Sequence, residues 1–374
     1  MDLKNLFNRA DLKFYPLNIR VNRVEIETEK IDSRSEVPKL SDKVLESIER
    51  AARAIREARS LNRPVILAFG AHAIKNGLGP LLAEFAEKGW FTHLATNGAG
   101  VIHDWEFSYI GMSSENVKEN ADKGMFGMWD ETGKFLNLAI VAGAYRGLGY
   151  GEAVGSMIAD NGIVIPDENE LLKMVTSDDM EKAASAADFI DTIRKSGLKS
   201  GHIEINHPYK KYSLQYRTFV AGVPFTAHPM FGHDIIYTHP MNKGAAIGRT
   251  AERDFLRFAE SVSRIENGVY LSVGSAVMSP MIFEKSFSMA QNVSIQNGSH
   301  IIGHKIFVVD LSESSWDWRE GEPSEDNPAY YMRHLKSFSR MGGIMEYISA
   351  DNRAFFLNLW RLLEDGNRPG CHFE

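Results

Sequence analysis

Four stretches of this chain gather side chains that could bind a ligand or move a proton. In TNGAGVIHDWE, residues 96–106, Thr96 and Asn97 precede the small residues Gly98 and Ala99, and His103, Asp104 and Glu106 follow closely. That pattern puts acid/base and hydrogen-bonding groups around a turn where a ligand could lie against bare backbone. It also fits a glycine-rich turn whose aspartate simply starts a helix. In TAHPMFGHDIIYTHPMNKG, residues 226–244, His228, His233, Asp234 and His239 share a short span. Three histidines and an aspartate invite a metal ion, although the spacing is not that of a helical H-E-x-x-H site. A hydrogen-bonding or acid/base pocket is the other reading. In FGAHAIKNGLGP, residues 69–80, Gly70, Gly77 and Gly79 would let backbone N–H groups approach an anion at the start of a helix, or let strand and helix pack tightly. Neither G-x-G-x-x-G nor a P-loop occurs. In GVYLSVGSAVMSPMIFEKSF, residues 268–287, the turn Gly274-Ser275-Ala276 leads to a helix opened by Ser279-Pro280, a place for a ribose or phosphate. Asp310, closing KIFVVD, could accept a ribose hydroxyl or form a turn.

The elements that must hold these groups follow from periodicity. Apolar residues at Val44, Leu45, Ile48, Ala51, Ala52 and Ile55 predict a helix from Ser41. PVILAF, Pro64 to Phe69, is a continuous apolar run of the kind buried on both faces of a parallel sheet. A helix through Leu78, Leu81, Leu82 and Phe85 and a second strand around Phe91–Thr96 complete a strand–turn–helix–strand–turn unit, with both glycine turns at the carboxyl ends of strands, where open α/β sheets bind ligands. Further helices are expected from Asp130 to Arg146 and from Pro166 to Ser196, and further strands at Gly268–Val273 and Lys305–Asp310. The segment FVAGVPFTAHPMFGHDIIYTHP reads as two strands, and SESSWDWREGEPSEDNPAYY as an ordered surface loop. A last helix, Arg353 to Leu363, carries RAFFLNLWRLL and reads as core or interface packing, so that a homo-oligomer is expected. The organisation expected is an N-terminal arm, residues 1–40, and one decorated α/β domain, residues 41–374.

Composition narrows the classes. The 374 residues carry 42 Lys and Arg against 49 Asp and Glu, a formal charge of −7, which argues against a nucleic-acid partner. With 44% hydrophobic residues the chain can bury a large core. No apolar run approaches the ~20 residues that cross a bilayer, and MDLKNLFNRADLKF lacks a secretory apolar block, so a cytoplasmic protein without a membrane partner is expected. The single cysteine, Cys371, excludes an intrachain disulfide and cysteine-rich metal sites. The methionines read as core filler.

The order of elements resembles that of the deoxyhypusine synthase family. VILAFGAHAIKNGLGPLLAEFAEKGWFTHLATNGAGVIHDWE, residues 65–106, is similar to that family's NAD-binding start, and GVYLSVGSAVMSPMIFEKSFSMA to its closing segment. The turn from Asn97 to Glu106 also resembles that of archaeal-type, NAD-dependent ornithine cyclodeaminases, which share the fold. The resemblance implies a mostly parallel, Rossmann-like α/β sheet with helices on both faces. It further implies NAD held by Gly70, Ala71, His72 and Lys75, by Thr96, Asn97, Gly98 and Ala99, by Glu106 or Asp104, and by Ser275 and Ala276, and a tetramer with sites shared between subunits. Where that family has its lysine segment, this chain has histidines and no lysine until Lys243, which argues against imine chemistry.

The reading that follows is an NAD-dependent enzyme acting by hydride transfer on a small-molecule substrate, amine-bearing on one view. His103, Asp104, His233, Asp234 and His239 are its acid/base candidates, and Glu106 and Asp104 could bind a substrate cation. A metal-dependent hydrolase or lyase using His228, His233, Asp234 and His239 is the alternative, and a non-catalytic scaffold is a third class.

Overall fold

Five consecutive apolar residues, Val65 to Phe69, have all five side chains buried, which a strand achieves only in a sheet covered on both faces. The computed structural model, which describes residues 6–365, places them at the centre of such a sheet. Its described strands are β1 (Asn22–Glu25), β2 (Val65–Phe69), β3 (His93–Thr96), β4 (Met112–Glu115), β5 (Gly162–Ile165), β6 (Gly201–Glu204), β7 (Phe225–Ala227), β8 (Val269–Val273), β9 (Lys305–Asp310) and β10 (Ile344–Ser349). Six of them form one sheet in the order β10-β9-β8-β2-β3-β7, every neighbouring pair parallel. The fold is therefore α/β. The chain runs outward through β2, β3 and β7, returns to β8 beside β2, and runs outward again through β9 and β10. The reversal between β2 and β8 is a topological switch point, with Phe69 paired to both Thr96 and Val273 at the carboxyl edge.

Alternation along β2 feeds two cores. Val65, Leu67 and Phe69 join the larger cluster with Ile48, Ile55, Phe85 and Phe356. Ile66 and Ala68 face a second cluster around Phe258, Tyr270, Phe283 and Phe338.

Several expectations need correction. The helix expected after Gly70 is two, Ala71–Lys75 and Gly79–Glu87, parted where Gly77 turns to φ +77° against the Glu29 carbonyl. The 166–196 stretch is likewise Glu168–Val175 and Met180–Ser196. Of the two strands expected in FVAGVPFTAHPMFGHDIIYTHP only β7 forms. Ile235–Thr238 is a 3-10 turn because the Asp234 side chain caps it, accepting from the Ile236 N–H at 3.1 Å. The N-terminal segment is bound closely to the body: β1 pairs antiparallel with β4, and Leu17 and Ile26 are buried. In the last helix, Asn352–Asp365, Phe355, Phe356, Leu359 and Leu363 are buried within the chain's own core, the first of the two roles expected of it. Cys371 lies outside the described residues. Among those described, no helix is long and apolar enough to cross a membrane.

Candidate functional site

The Asn97 turn opens a helix, Gly98–Ile110. Gly-Ala-Gly is a poor helical start by propensity, but the Asn97 side chain accepts from the Gly100 N–H at 2.9 Å and caps it, and Gly111, at φ +73°, ends it. Helical spacing then divides the acidic cluster: His103 and Glu106, three apart, share one face, while Asp104 falls on another.

The His103 and Glu106 face lines a pocket of about 200 Å³ whose wall also includes Lys75, Ala99, Ser114, His233 and Asp234, with Ile102, Val117, Phe126 and Ile235 supplying apolar surface. All three histidine-bearing stretches thus contribute to one place, Lys75 from FGAHAIKNGLGP, and His233 and Asp234 arriving on the loop after β7. The floor is a buried polar chain. Arg20 donates to both Glu106 oxygens, at 2.8 and 2.6 Å, and Thr132 donates to Oε1 at 2.9 Å. The Ser113 hydroxyl donates to Glu106 Oε2 at 2.5 Å, and its oxygen lies 2.7 Å from His103 Nδ1. Because that hydroxyl's one proton points to the carboxylate, its oxygen accepts from His103, which fixes the Nδ1–H tautomer and leaves Nε2 as the acceptor. Burial lowers the His103 pKa to about 4, the Glu106 charge pulling the other way, so the ring is neutral at neutral pH. Burial raises the Glu106 carboxyl, but the field and hydrogen bonds of Arg20, with Ser113, more than reverse this and hold it below the ordinary value. Arg20 and Ser113 escaped sequence reasoning because neither has a local signature: one lies in the N-terminal segment, the other on the short strand β4.

Asp234 is the carboxyl group lining the pocket that keeps an oxygen without a hydrogen-bond partner among the described residues. Its Oδ1 accepts the Ile236 N–H, its Oδ2 is buried with no hydrogen-bond partner, and burial raises its pKa to about 6. Glu115, by contrast, accepts from Gly127 N–H, Trp129 Nε1–H and Asn120 Nδ2–H.

The remaining acid/base candidates lie elsewhere. Asp104 is buried and accepts from Ser213 Oγ (2.6 Å), Leu214 N (2.8 Å), Gln215 N and Gln215 Nε2 (both 3.0 Å), clamping the Gly98–Ile110 helix to the start of the Leu214–Ala221 helix. Neither Asp104 nor Glu106 keeps a free oxygen for a substrate cation, which corrects that expectation. His239 stacks edge-on against Phe14, accepts the Met241 N–H at Nδ1 and faces Asp130 at 3.4 Å through Nε2. His228 bonds Thr226 at 2.9 Å, and Thr226 bonds His93 at 2.9 Å, with Phe258 edge-on to both rings. The four metal candidates therefore do not converge. Among the described residues no group of three or more His, Cys, Asp or Glu side chains could hold a metal ion.

The residues the resemblance assigns to a cofactor cluster at the carboxyl edge. Gly70, between β2 and the Ala71–Lys75 helix, lies so close to the Gly274 carbonyl that a side chain there would collide with it. Ala71 is partly exposed, His72 is exposed, and Lys75 reaches the pocket. Thr96 is buried, its hydroxyl donating to the Phe69 carbonyl at 3.0 Å, and Gly98 is buried beneath Asp234. After β8, the Ser275 hydroxyl accepts the Ser279 N–H at 3.2 Å, and Ala276 is exposed. Asp310 accepts from Leu311 N at 2.7 Å and is a turn former.

No protein-family model and no curated protein matches this sequence. Solved structures with a similar chain path include ArgZ, an arginine dihydrolase from the ornithine–ammonia cycle in cyanobacteria, at 14% identity and TM-score 0.40, covering 89% of this chain and 33% of that one. A conserved LOR/SDH protein from Methanococcus maripaludis S2 aligns at 13% identity and TM-score 0.44, over 90% of this chain and 72% of that one. AgrE, solved as a ternary complex with ornithine and NAD+, aligns at 13% identity and TM-score 0.42, over 88% and 34%. The chain spans about a third of the length of ArgZ and AgrE. The likeness is one of fold.

Proposed function

We propose that the protein is an NAD-dependent enzyme of the deoxyhypusine synthase-like fold that acts on a small, amine-bearing metabolite. One juxtaposition carries the reading: the switch point between β2 and β8 and the His103 pocket lie at the same end of one sheet, and the Ala71–Lys75 helix leaves the first and lines the second. Gly70 packs directly against the Gly274 carbonyl and the two N–H groups are bonded to Val273 and Val309 carbonyls, so a dinucleotide at the switch point would lie over the turns that follow these glycines. Gly70, Ala71, Asn97, Gly98, Ser275 and Ala276 would hold it. Bound there, NAD would supply a hydride acceptor or donor.

The chain's own groups would do the rest. Asp234, half-buried and without a counter-ion, would hold a substrate ammonium, which in turn would lower its raised pKa. His103 Nε2 would take a proton from a substrate nitrogen or hydroxyl, with Ser113 and Glu106 stabilising the ring as charge develops. Lys75 would offer a positive charge to an anionic group.

The test is a thermal-shift titration with NAD, with mass spectrometry of what co-purifies. A saturable rise in Tm that is lost in Gly70→Ala is expected, since a ligand selective for the native state stabilises it by mass action; an unchanged Tm at millimolar NAD in protein free of co-purified nucleotide overturns the reading. Within it, Ser113→Ala should keep NAD binding and lower kcat on an amine donor about 10–100-fold. An unchanged kcat and pH profile would remove Ser113 and Glu106 from the chemistry.

A further inference from the structure

A second cavity, of about 410 Å³, shares no wall residue with the His103 pocket. Two helices supply most of its wall. The Asp130–Arg146 helix contributes Ala139, Ala142, Gly143 and Arg146, and the Tyr150–Ala159 helix, with the residue that caps it, contributes Ala153, Met157 and Asp160. Positions i, i+3, i+4 and i+7 on the first, and i, i+4 and i+7 on the second, each make one helical face. Each face ends in a charge, positive on one and negative on the other. The two helices touch where Gly143 has no side chain, since a Cβ there would lie 2.4 Å from that of Ala153. Beside that contact the alanines leave room that larger residues would fill. β5 closes the cavity through Ile163 and Val164, and the Met180–Ser196 helix closes it through Phe189, which is edge-on to Tyr145 with ring centroids 5.9 Å apart.

The polar groups gather at one place on the wall. Arg146 Nη1 donates to the Ser156 hydroxyl at 3.1 Å, and that hydroxyl donates to Asp160 Oδ2 at 3.3 Å. One serine thus stands between a guanidinium and a carboxylate, and neither forms an ion pair with the other or with another described residue. The remaining Arg146 donors suit a carboxylate, which a planar guanidinium binds through two parallel bonds, and Asp160 suits an ammonium. Two opposite charges held one hydroxyl apart match the head of an α-amino acid. The apolar chamber behind them matches its side chain, and a volume within ~300–1,000 Å³ lined by apolar groups with a few polar ones is usual for a small-molecule site. Arg146 and Asp160 are exposed, so water screens both charges and burial of the side chain would supply most of the affinity.

We propose that this cavity binds a free α-amino acid with an apolar side chain of the leucine or phenylalanine class. Arg146 holds its carboxylate, Asp160 its ammonium, and Ala142, Met157 and Phe189 its side chain. The inference does not depend on NAD, because none of these residues belongs to the proposed cofactor or substrate site.

The test is a thermal-shift titration of the full chain with L-leucine and L-phenylalanine. Three controls run beside them: isocaproate, which is leucine without its ammonium, isoamylamine, which is leucine without its carboxylate, and L-glutamine, which has a polar side chain. A saturable rise in Tm on the order of a few degrees is expected at millimolar leucine or phenylalanine, with about tenfold weaker binding of each control. Ala142→Leu fills the chamber and should abolish the rise, and Arg146→Gln should move the titration midpoint about tenfold higher. Arg146 is exposed, so its variant keeps the test open if the Leu variant does not fold. No rise with either amino acid, an equal titration with isocaproate or isoamylamine, or an unchanged midpoint in Arg146→Gln overturns the proposal. A rise kept in Arg146→Gln and lost in Asp234→Asn overturns it too, and gives the amino acid to the His103 pocket.

Discussion

Glu106 shows how much one side chain can organise. Its oxygens receive Arg20, Ser113 and Thr132, and the Arg20 and Glu106 side chains are 2% and 1% exposed, so the pair sits where an unmatched charge is expensive. Glu106→Gln leaves the guanidinium buried opposite a neutral group and should cost about 3–5 kcal/mol, read from urea unfolding. A loss below about 1 kcal/mol would mean that water reaches Arg20. The pH dependence has a definite sign. Arg20 and its partners hold the folded pKa of Glu106 below its ordinary value against the opposing effect of burial. Its contribution is therefore fully present above the unfolded carboxylate pKa and lost as pH falls through the folded value. His103 adds to the same trend: its pKa drops from 6.5 unfolded to about 4 folded, so the unfolded chain binds the extra proton as pH falls through that window. The Gln variant should lose the part of the acid sensitivity that lies below the carboxylate pKa and retain the histidine part.

Among elements, the Gly98–Ile110 helix decides which candidates can meet. One of its faces lines the pocket, and Asp104, on another, accepts four hydrogen bonds from the start of the Leu214–Ala221 helix. Asp104→Ala would strand those donors and should cost about 3 kcal/mol, measured by urea unfolding, while the folded fraction binds NAD with unchanged affinity. Lost binding at unchanged stability would return Asp104 to the ligand. The sequence showed β2, β8 and β9 plainly because VILAF, VYLSV and KIFVVD are apolar runs of strand length. It concealed this helix because the capping by Asn97 outweighs two weak helix formers in its first turn, Gly98 and Gly100, only once the helix is packed. Ile235–Thr238 misled in the opposite direction. Its β-branched residues read as a strand, but the Asp234 cap and the tight turn after β7 fold it as 3-10. Which histidines share a pocket was beyond local reading, since it depends on β7 lying beside β3.

At the scale of the whole molecule, the strand order places the glycine turns of β2 and β8 beside each other and leaves the other loops of the carboxyl edge to build a site around them. The opposite task, closing the large core, falls to the helix Asn352–Asp365, whose aromatic residues the sequence offered equally to a core or to an interface. Phe356 is fully buried, with ring centroids 6.1 Å from Phe85 and 6.3 Å from Phe91, and Trp360 lies edge-on to Phe85 at 4.9 Å. Those contacts tie the last described helix to Gly79–Glu87 and to the segment entering β3, so this helix locks the β2–β3 unit from outside. If its role is internal, Phe356→Ala should destabilise the chain by about 3–5 kcal/mol while light scattering on the folded fraction returns the mass of the wild type. A changed mass with unfolding free energy intact would instead show that the aromatic face reaches a second copy, and the core assignment of this helix would have to be withdrawn.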